Sequence, residues 1–344
     1  MSDAGNTSLL RCSQPGCTFD VDGVCLEGLP AGKDCPHRIR GIAEGDTESA
    51  EESLGTAEKW ISLPDGYELS LESTFEITRA SNARLIVLAG EADAGKTTLI
   101  SCVFEQFSEG MYAEHKVAWS DTVLAFERIC YRSRISSEAE KADTVRTKGL
   151  SPRFFHLQLQ SNESGIFSDL LVTDVSGEAY RRALNNQEDA LNLGFIKRAD
   201  AFVLLLDGER LASKEFRQDA FRRGLLLLKA LLQAKVLSSQ CPIRVLVAKY
   251  DLLVPGKVDK NTSQFVEYVE AEYKKFGDEN FTDFQILRVA SRPNPGSSLE
   301  YGFGIEAVLK DWVKEHTEPI MDFKPKVDPA SNERESARYL WRQL

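Results

Sequence analysis

Residues 90–97 read GEADAGKT, two glycines separated by four residues and followed by a lysine and a threonine. A turn of this kind aims several backbone N–H groups at one point. A helix starting at Lys96 adds the partial positive charge of its N-terminus at the same point. The chemistry served is phosphate binding. Gly90, Asp93, Ala94 and Gly95 supply the backbone cradle, with Thr98 just inside the helix. Lys96 is the candidate catalytic cation, neutralising β- and γ-phosphates, and the Thr97 hydroxyl ligates Mg2+. A magnesium site also wants a carboxylate at the end of a neighbouring strand. The run 170–174 (LLVTD) supplies Asp174 as a second metal ligand, and Gly177 follows in a DxxG spacing that suits sensing a terminal phosphate.

Positioning these groups requires a strand before the glycine-rich turn and a helix after it, and the pattern contains both. Residues 84–89 are a short apolar run, as expected of a strand covered on both faces. A helix is predicted from Lys96 to about Phe107. Residues 154–160 alternate, with Phe155, Leu157 and Leu159 on one face and His156, Gln158 and Gln160 on the other. This suits an edge strand with one wetter face, forming a hairpin with 166–173. Beyond it come a helix at 179–193, a strand at 201–206, a helix at 213–235, a strand at 244–248, a helix at 262–276, a strand at 284–290 and a helix at 305–316. Residues 60–63 and 67–71 fit short strands or a lead-in. The order implies an α/β three-layer sandwich with a mostly parallel sheet and one antiparallel edge strand.

With these elements in place, the chain resembles the Ras-like branch of P-loop GTPases. Residues 174–180 (DVSGEAY) are similar to that family's DTAGQEEY stretch. Lys249 and Asp251, in 248–251 (AKYD), fit its guanine box NKxD at a strand end. Ser291 and Arg292 follow the next strand, where the family has SAK. The resemblance covers 84–316, and within the branch it points to bacterial domains of the double-GTPase type, which are associated with multi-gene signalling or defence systems. It implies GTP and GDP as ligands. A carboxylate at Asp251 would accept from guanine N1–H and the 2-amino group, a pair of donors that adenine lacks. The stem of Lys249 would cover the base, and an N–H near Ser291 would meet guanine O6.

Three departures from the family pattern stand out. Ala248 replaces the asparagine of the guanine box, removing a polar bridge between base loop and phosphate loop. Glu178 stands where the family often has a water-positioning glutamine, and is a candidate catalytic residue beside Gly177. The stretch 108–152 is long for a switch loop, and 121–131 within it fits an extra helix. The switch threonine, a further Mg2+ ligand and catalytic residue, must come from this stretch. Thr144 and Thr147 both qualify, and position favours Thr147. Arg146 reads as an internal arginine finger or a solvated surface charge.

The N-terminal segment carries different chemistry. Cys12, Cys17, Cys25 and Cys35 crowd a stretch rich in glycine and proline, and a tetrahedral structural Zn2+ would supply the folding energy that so small a segment lacks. His37 is an alternative ligand. Reduced cysteines in a loose lead are the other reading, since the paired CxxC spacing is missing. The expected organisation is a Cys-rich module at 1–40, an acidic flexible linker at 41–58, the nucleotide domain at 59–317 and a charged tail at 318–344. A short helix is expected near 332–341.

The net charge of −11 over 344 residues opposes non-specific nucleic-acid binding. No apolar run reaches the length of a membrane span, and the N-terminus lacks a signal-peptide pattern, so a cytoplasmic location is expected. The function expected from these features is a slow GTP-hydrolysing switch acting on a protein effector or regulator. The alternatives are a nucleotide-bound scaffold with little hydrolysis, which Glu178 favours, and a P-loop ATPase.

Overall fold

The computed structural model describes residues 10–12, 38–40, 64–133 and 151–314. Cys17, Cys25, Cys35, His37, Thr144, Arg146, Thr147, the linker 41–58 and the tail 318–344 lie outside them. The chain divides into two compact units, Met1–Ser62 and Leu63–Leu344. In the first, β1 (Leu10–Cys12) pairs antiparallel with β2 (Arg38–Arg40), and Cys12 ends β1.

The second unit holds a seven-stranded sheet. In chain order its elements are α1 (Thr74–Ala80), β3 (Arg84–Gly90), α2 (Lys96–Ser108), β4 (His115–Trp119), α3 (Val123–Ser133), β5 (Arg153–Ser161), β6 (Phe167–Asp174), α4 (Gly177–Asn185) and α5 (Gln187–Leu191). Then follow β7 (Ala201–Asp207), α6 (Gly208–Ala212), α7 (Arg217–Gln233), β8 (Ile243–Ala248), α8 (Lys260–Asn280), β9 (Phe284–Arg288) and α9 (Ile305–Val313). The strand order is β4-β5-β6-β3-β7-β8-β9. The run from β6 to β9 is parallel, and β5 is antiparallel to both its neighbours.

Side-chain alternation along the central strands divides the core between two faces. Leu85, Val87 and Ala89 of β3, with Phe202, Leu204 and Leu206 of β7, pack under α4, α7 and α8. Ile86 and Leu88, with Val203 and Leu205, pack under α2, α3 and α9. Every residue of β7 and β8 is buried, which explains their apolar runs, broken within β8 only by the ion-paired Arg244.

The expected antiparallel edge is a pair of strands. β4 lies outside β5, and the bridge between Leu69 and Phe154 adds a further contact to β5. The predicted 121–131 helix is α3, while α1 was not anticipated. One predicted helix, 179–193, is broken by an extended residue. Asn186, at φ −144° and ψ 126°, ends α4 and caps α5 by accepting from Glu188 N–H at 2.9 Å. The helix predicted at 213–235 is α7, which starts later, at Arg217; Ser213, at φ −80° and ψ 123°, ends the preceding α6, which was not anticipated. Short polar side chains satisfy helix-end N–H groups and so compete with continuation of the helix.

Candidate nucleotide-binding site

The phosphate loop leaves β3 in the middle of the sheet, flanked by β6 and β7, so its anchors are buried on both sides. Gly95 has φ 97°, in the left-handed region that glycine reaches without strain, and caps α2. Asp93, at φ 63°, adopts a similar conformation within the loop despite its side chain. Ala94 is buried against the α2 face of the core.

Lys96 is buried, and its ammonium donates to the carbonyls of Gly90 at 2.9 Å and Glu91 at 2.8 Å. Burial lowers its pKa to about 8, against the opposing pull of Asp174, Asp93 and Glu91. The Thr97 hydroxyl lies 3.4 and 3.5 Å from the two carboxylate oxygens of Asp174. A hydroxyl and a buried carboxylate side by side at the foot of the phosphate loop fit a hard divalent cation that keeps waters and phosphate oxygens as its other ligands. Thr98 continues the first turn of α2, and its carbonyl accepts from the Ser101 hydroxyl.

Gly177 opens α4 directly against the phosphate loop. A Cβ there would stand 2.2 Å from the Ala92 nitrogen and 2.5 Å from the Glu91 carbonyl carbon. Only a glycine permits this approach. Tyr180 holds the same helix to the sheet, donating its buried hydroxyl to the Leu88 carbonyl at 2.9 Å. Glu178 is half-exposed and pairs with Arg181 one turn later. Gly90, Gly177, Glu178, Arg181 and Arg210 border a cavity of about 210 Å3 between the loop, α4 and α7.

The base-recognition candidates gather at the ends of β8 and β9. Asp251 is buried and accepts from the Asn294 N–H at 3.0 Å. Lys249 has φ 51°, and its ammonium meets Asp207 and Glu209, both at 2.9 Å. Burial lowers the pKa of Lys249, but the two carboxylates outweigh this and the net shift is upward. Ser291 starts the loop after β9, and its carbonyl accepts from the Cys102 thiol of α2 at 3.2 Å. Arg292 follows it in the same loop.

The structure therefore brings together Gly90, Asp93, Ala94, Gly95, Lys96, Thr97, Asp174 and Gly177 around the phosphate loop. Lys249, Asp251 and the 291–294 loop form a second group, linked to α2 through Cys102. Asn294 contributes only its backbone, so its side-chain type carried no signal. Asp207 was detectable in principle, as a carboxylate ending an apolar strand. Among the described residues, no group of three or more His, Cys, Asp or Glu is arranged to hold a metal ion, and no helix is long and apolar enough to cross a membrane.

The model of the Double-GTPase 2 family matches residues 84–313, from the first residue of β3 to the last of α9. The chain belongs to the Double-GTPase 2 family. The main unit of this double-GTPase is a GTP-binding domain, and the resemblance read from its motifs is borne out. No curated protein matches the chain. Among solved structures it is similar to the S. cerevisiae Ski7 GTPase-like domain, bound to GDP and inorganic phosphate, at 15% identity and a TM-score of 0.37. That match covers 68% of this double-GTPase and 51% of the other chain, so the double-GTPase spans about half the length of that structure.

Proposed function

We propose that this domain binds GTP with Mg2+, hydrolyses it slowly to GDP and phosphate, and uses the change to regulate a partner protein. The observation that carries the reading is the joint placement of the Thr97–Asp174 pair, Lys96 and Gly177 around one loop, with a buried Asp251 at the adjacent strand end. Lys96 leaves its two carbonyl acceptors for the β- and γ-phosphate oxygens and stabilises the charge that develops there. Thr97 and Asp174 hold Mg2+, which neutralises phosphate charge. Water attacks the γ-phosphorus as the bond to the bridging oxygen breaks, and GDP leaves. The Gly177 N–H reads the presence of the γ-phosphate, so its loss releases α4 from the phosphate loop. Thr147 is the proposed third Mg2+ ligand, and Cys12, Cys17, Cys25 and Cys35 the proposed structural Zn2+ ligands. Metal analysis of the purified chain tests the zinc assignment, and absence of stoichiometric zinc removes it.

The deciding experiment is competition between GTP and ATP for the chain, repeated on Asp251→Asn. Guanine preference that collapses in the variant supports the reading. Equal affinity for both nucleotides in the parent chain overturns it in favour of an ATPase. A scaffold with little hydrolysis is the second reading, favoured by the pairing of Glu178 with Arg181, which leaves this position without a ready water-positioning group. Phosphate release with and without candidate partner proteins separates the two.

A further inference from the structure

The five-residue helix α6 reaches both halves of the candidate site. At its start, Asp207 and Glu209 hold the Lys249 ammonium of the base loop, each at 2.9 Å. Asp207 also caps α6, accepting from the Glu209 N–H at 3.0 Å. Gly208 lies so close to the base loop that a Cβ there would stand 2.3 Å from the Ala248 carbonyl oxygen. One turn on, the Arg210 guanidinium grips the carboxylate of Glu91, the second residue of the phosphate loop. Arg210 is itself held by Asp219 of α7 at 2.8 Å. Arg223, one turn along α7, closes the ring with Asp219 at 2.7 Å and Glu91 at 3.2 Å. The backbone carbonyl of Glu91 meanwhile accepts from Lys96.

Ion pairs at the two ends of α6 thus tie Lys249 to the helix and the helix to Glu91, and the Glu91 backbone carbonyl in turn accepts from Lys96. We propose that α6 is a strut fixing the spacing between base loop and phosphate loop, with Arg210 and Glu91 as positioning residues for nucleotide binding. The physical case is that the base loop, with Ala248 at its start, offers no side-chain hydrogen bond at that position. Its charged neighbour Lys249 is instead tied to α6, and α6 to the phosphate loop. A nucleotide that spans both loops binds best when their separation is already set, because ordering them on binding costs affinity. The inference rests on the GTP-binding reading above.

The test is titration of the full chain with fluorescent GDP, comparing the parent with Arg210→Ala, Asp207→Asn and the double variant. Asparagine keeps the helix cap but removes the buried one of the two charges that hold Lys249. Each single change is expected to weaken binding about tenfold, a value discounted for partial exposure of the pairs. A strut released at one end gains little by release at the other, so the double variant is expected to lie within about twofold of the weaker single variant. Arg210→Lys, which keeps the charge but not the fork, is expected within about threefold of the parent, and Arg210→Gln near Arg210→Ala. These last two carry the comparison if Arg210→Ala does not fold. Losses that multiply in the double variant, or an Arg210→Gln that binds as the parent does, overturn the strut. A parent chain that takes up no GDP overturns the reading of the site itself, a result distinct from parent-like binding in the variants.

Discussion

Lys96 gives the sharpest prediction, because its two environments differ in charge. In the nucleotide-free protein it is buried against carbonyls, and burial brings its pKa down to about 8. A triphosphate or diphosphate in the loop places several negative oxygens beside it and restores the charged form. Nucleotide binding above neutrality must therefore take up a proton. With a free-protein pKa of about 8, uptake by this group is about 0.1 proton at pH 7 and about 0.8 at pH 8.5. Affinity is expected to be flat below about pH 7 and about tenfold weaker at pH 9 than at pH 7, since only about a tenth of the free protein is then charged. Calorimetric GDP titrations in buffers of different ionisation enthalpy count the protons. The control is Lys96→Arg, studied at higher nucleotide concentration, because a guanidinium stays charged throughout. Uptake at pH 8.5 no greater than at pH 7, or equal uptake in Lys96→Arg, would show that Lys96 does not meet phosphate as argued.

The same shift affects folding. Between about pH 8 and 10.5 the unfolded lysine holds a proton that the native one lacks, so nucleotide-free stability should rise with pH across that window by at most about 3 kcal/mol. Denaturant melts at several pH values check this, and saturating GDP should flatten the slope. Lys96→Ala and Asp174→Ala are each expected to abolish nucleotide-dependent activity, and unchanged nucleotide binding in Lys96→Ala would sink the phosphate-loop assignment. Gly177→Ala forces a Cβ to within 2.2 Å of the Ala92 nitrogen, and overpacking should cost about 1–3 kcal/mol in a nucleotide-free melt. Arg244→Ala would strand Asp283 and Asp311, each 2.8 Å from the buried guanidinium. The partners are partly exposed, so a loss of about 2 kcal/mol is expected by the same measurement.

How legible a feature was depended on how far apart its residues lie in the chain. The phosphate loop is one contiguous turn between β3 and α2, and both neighbours announce themselves by pattern. Asp174 was found because it ends a strand whose apolar run points to it, and Asp251 because it fits the family's guanine box just after β8. β4 escaped because its burial is partial throughout, with Trp119 half-exposed, so residues 115–119 show no clean alternation. α1 is similarly faint, burying only Thr74 and Ile77. The helix break at Asn186 was missed because hydrophobic spacing continued across it, while capping decided the outcome. Thr147 and three of the four clustered cysteines, Cys17, Cys25 and Cys35, lie outside the described residues.

Ala248 and Glu178 show what this locality limit means for function. Each is a position where the family pattern is broken, Ala248 read from sequence as a lost bridge and Glu178 as a candidate catalytic residue in place of a glutamine. Around Ala248 the fold offers a replacement connection, built from Asp207, Glu209 and Arg210 on one short helix and from Glu91 on the phosphate loop. Glu91 precedes Arg210 by 119 residues and Arg223 by 132, and nothing in the local pattern distinguishes these arginines from solvated charges on a helix face. Once the sheet order places β7 beside β3, the end of β7 and the phosphate loop become neighbours, and so do their charges. No such connection surrounds Glu178, whose carboxylate is engaged by Arg181 on its own helix. The two departures therefore differ in consequence. Positioning of the nucleotide has a second route through the proposed α6 strut, while the Glu178 carboxylate is held by Arg181. That asymmetry is what the proposed slow hydrolysis rests on, and phosphate release from the chain alone, faster than with Glu178→Gln, would refute it.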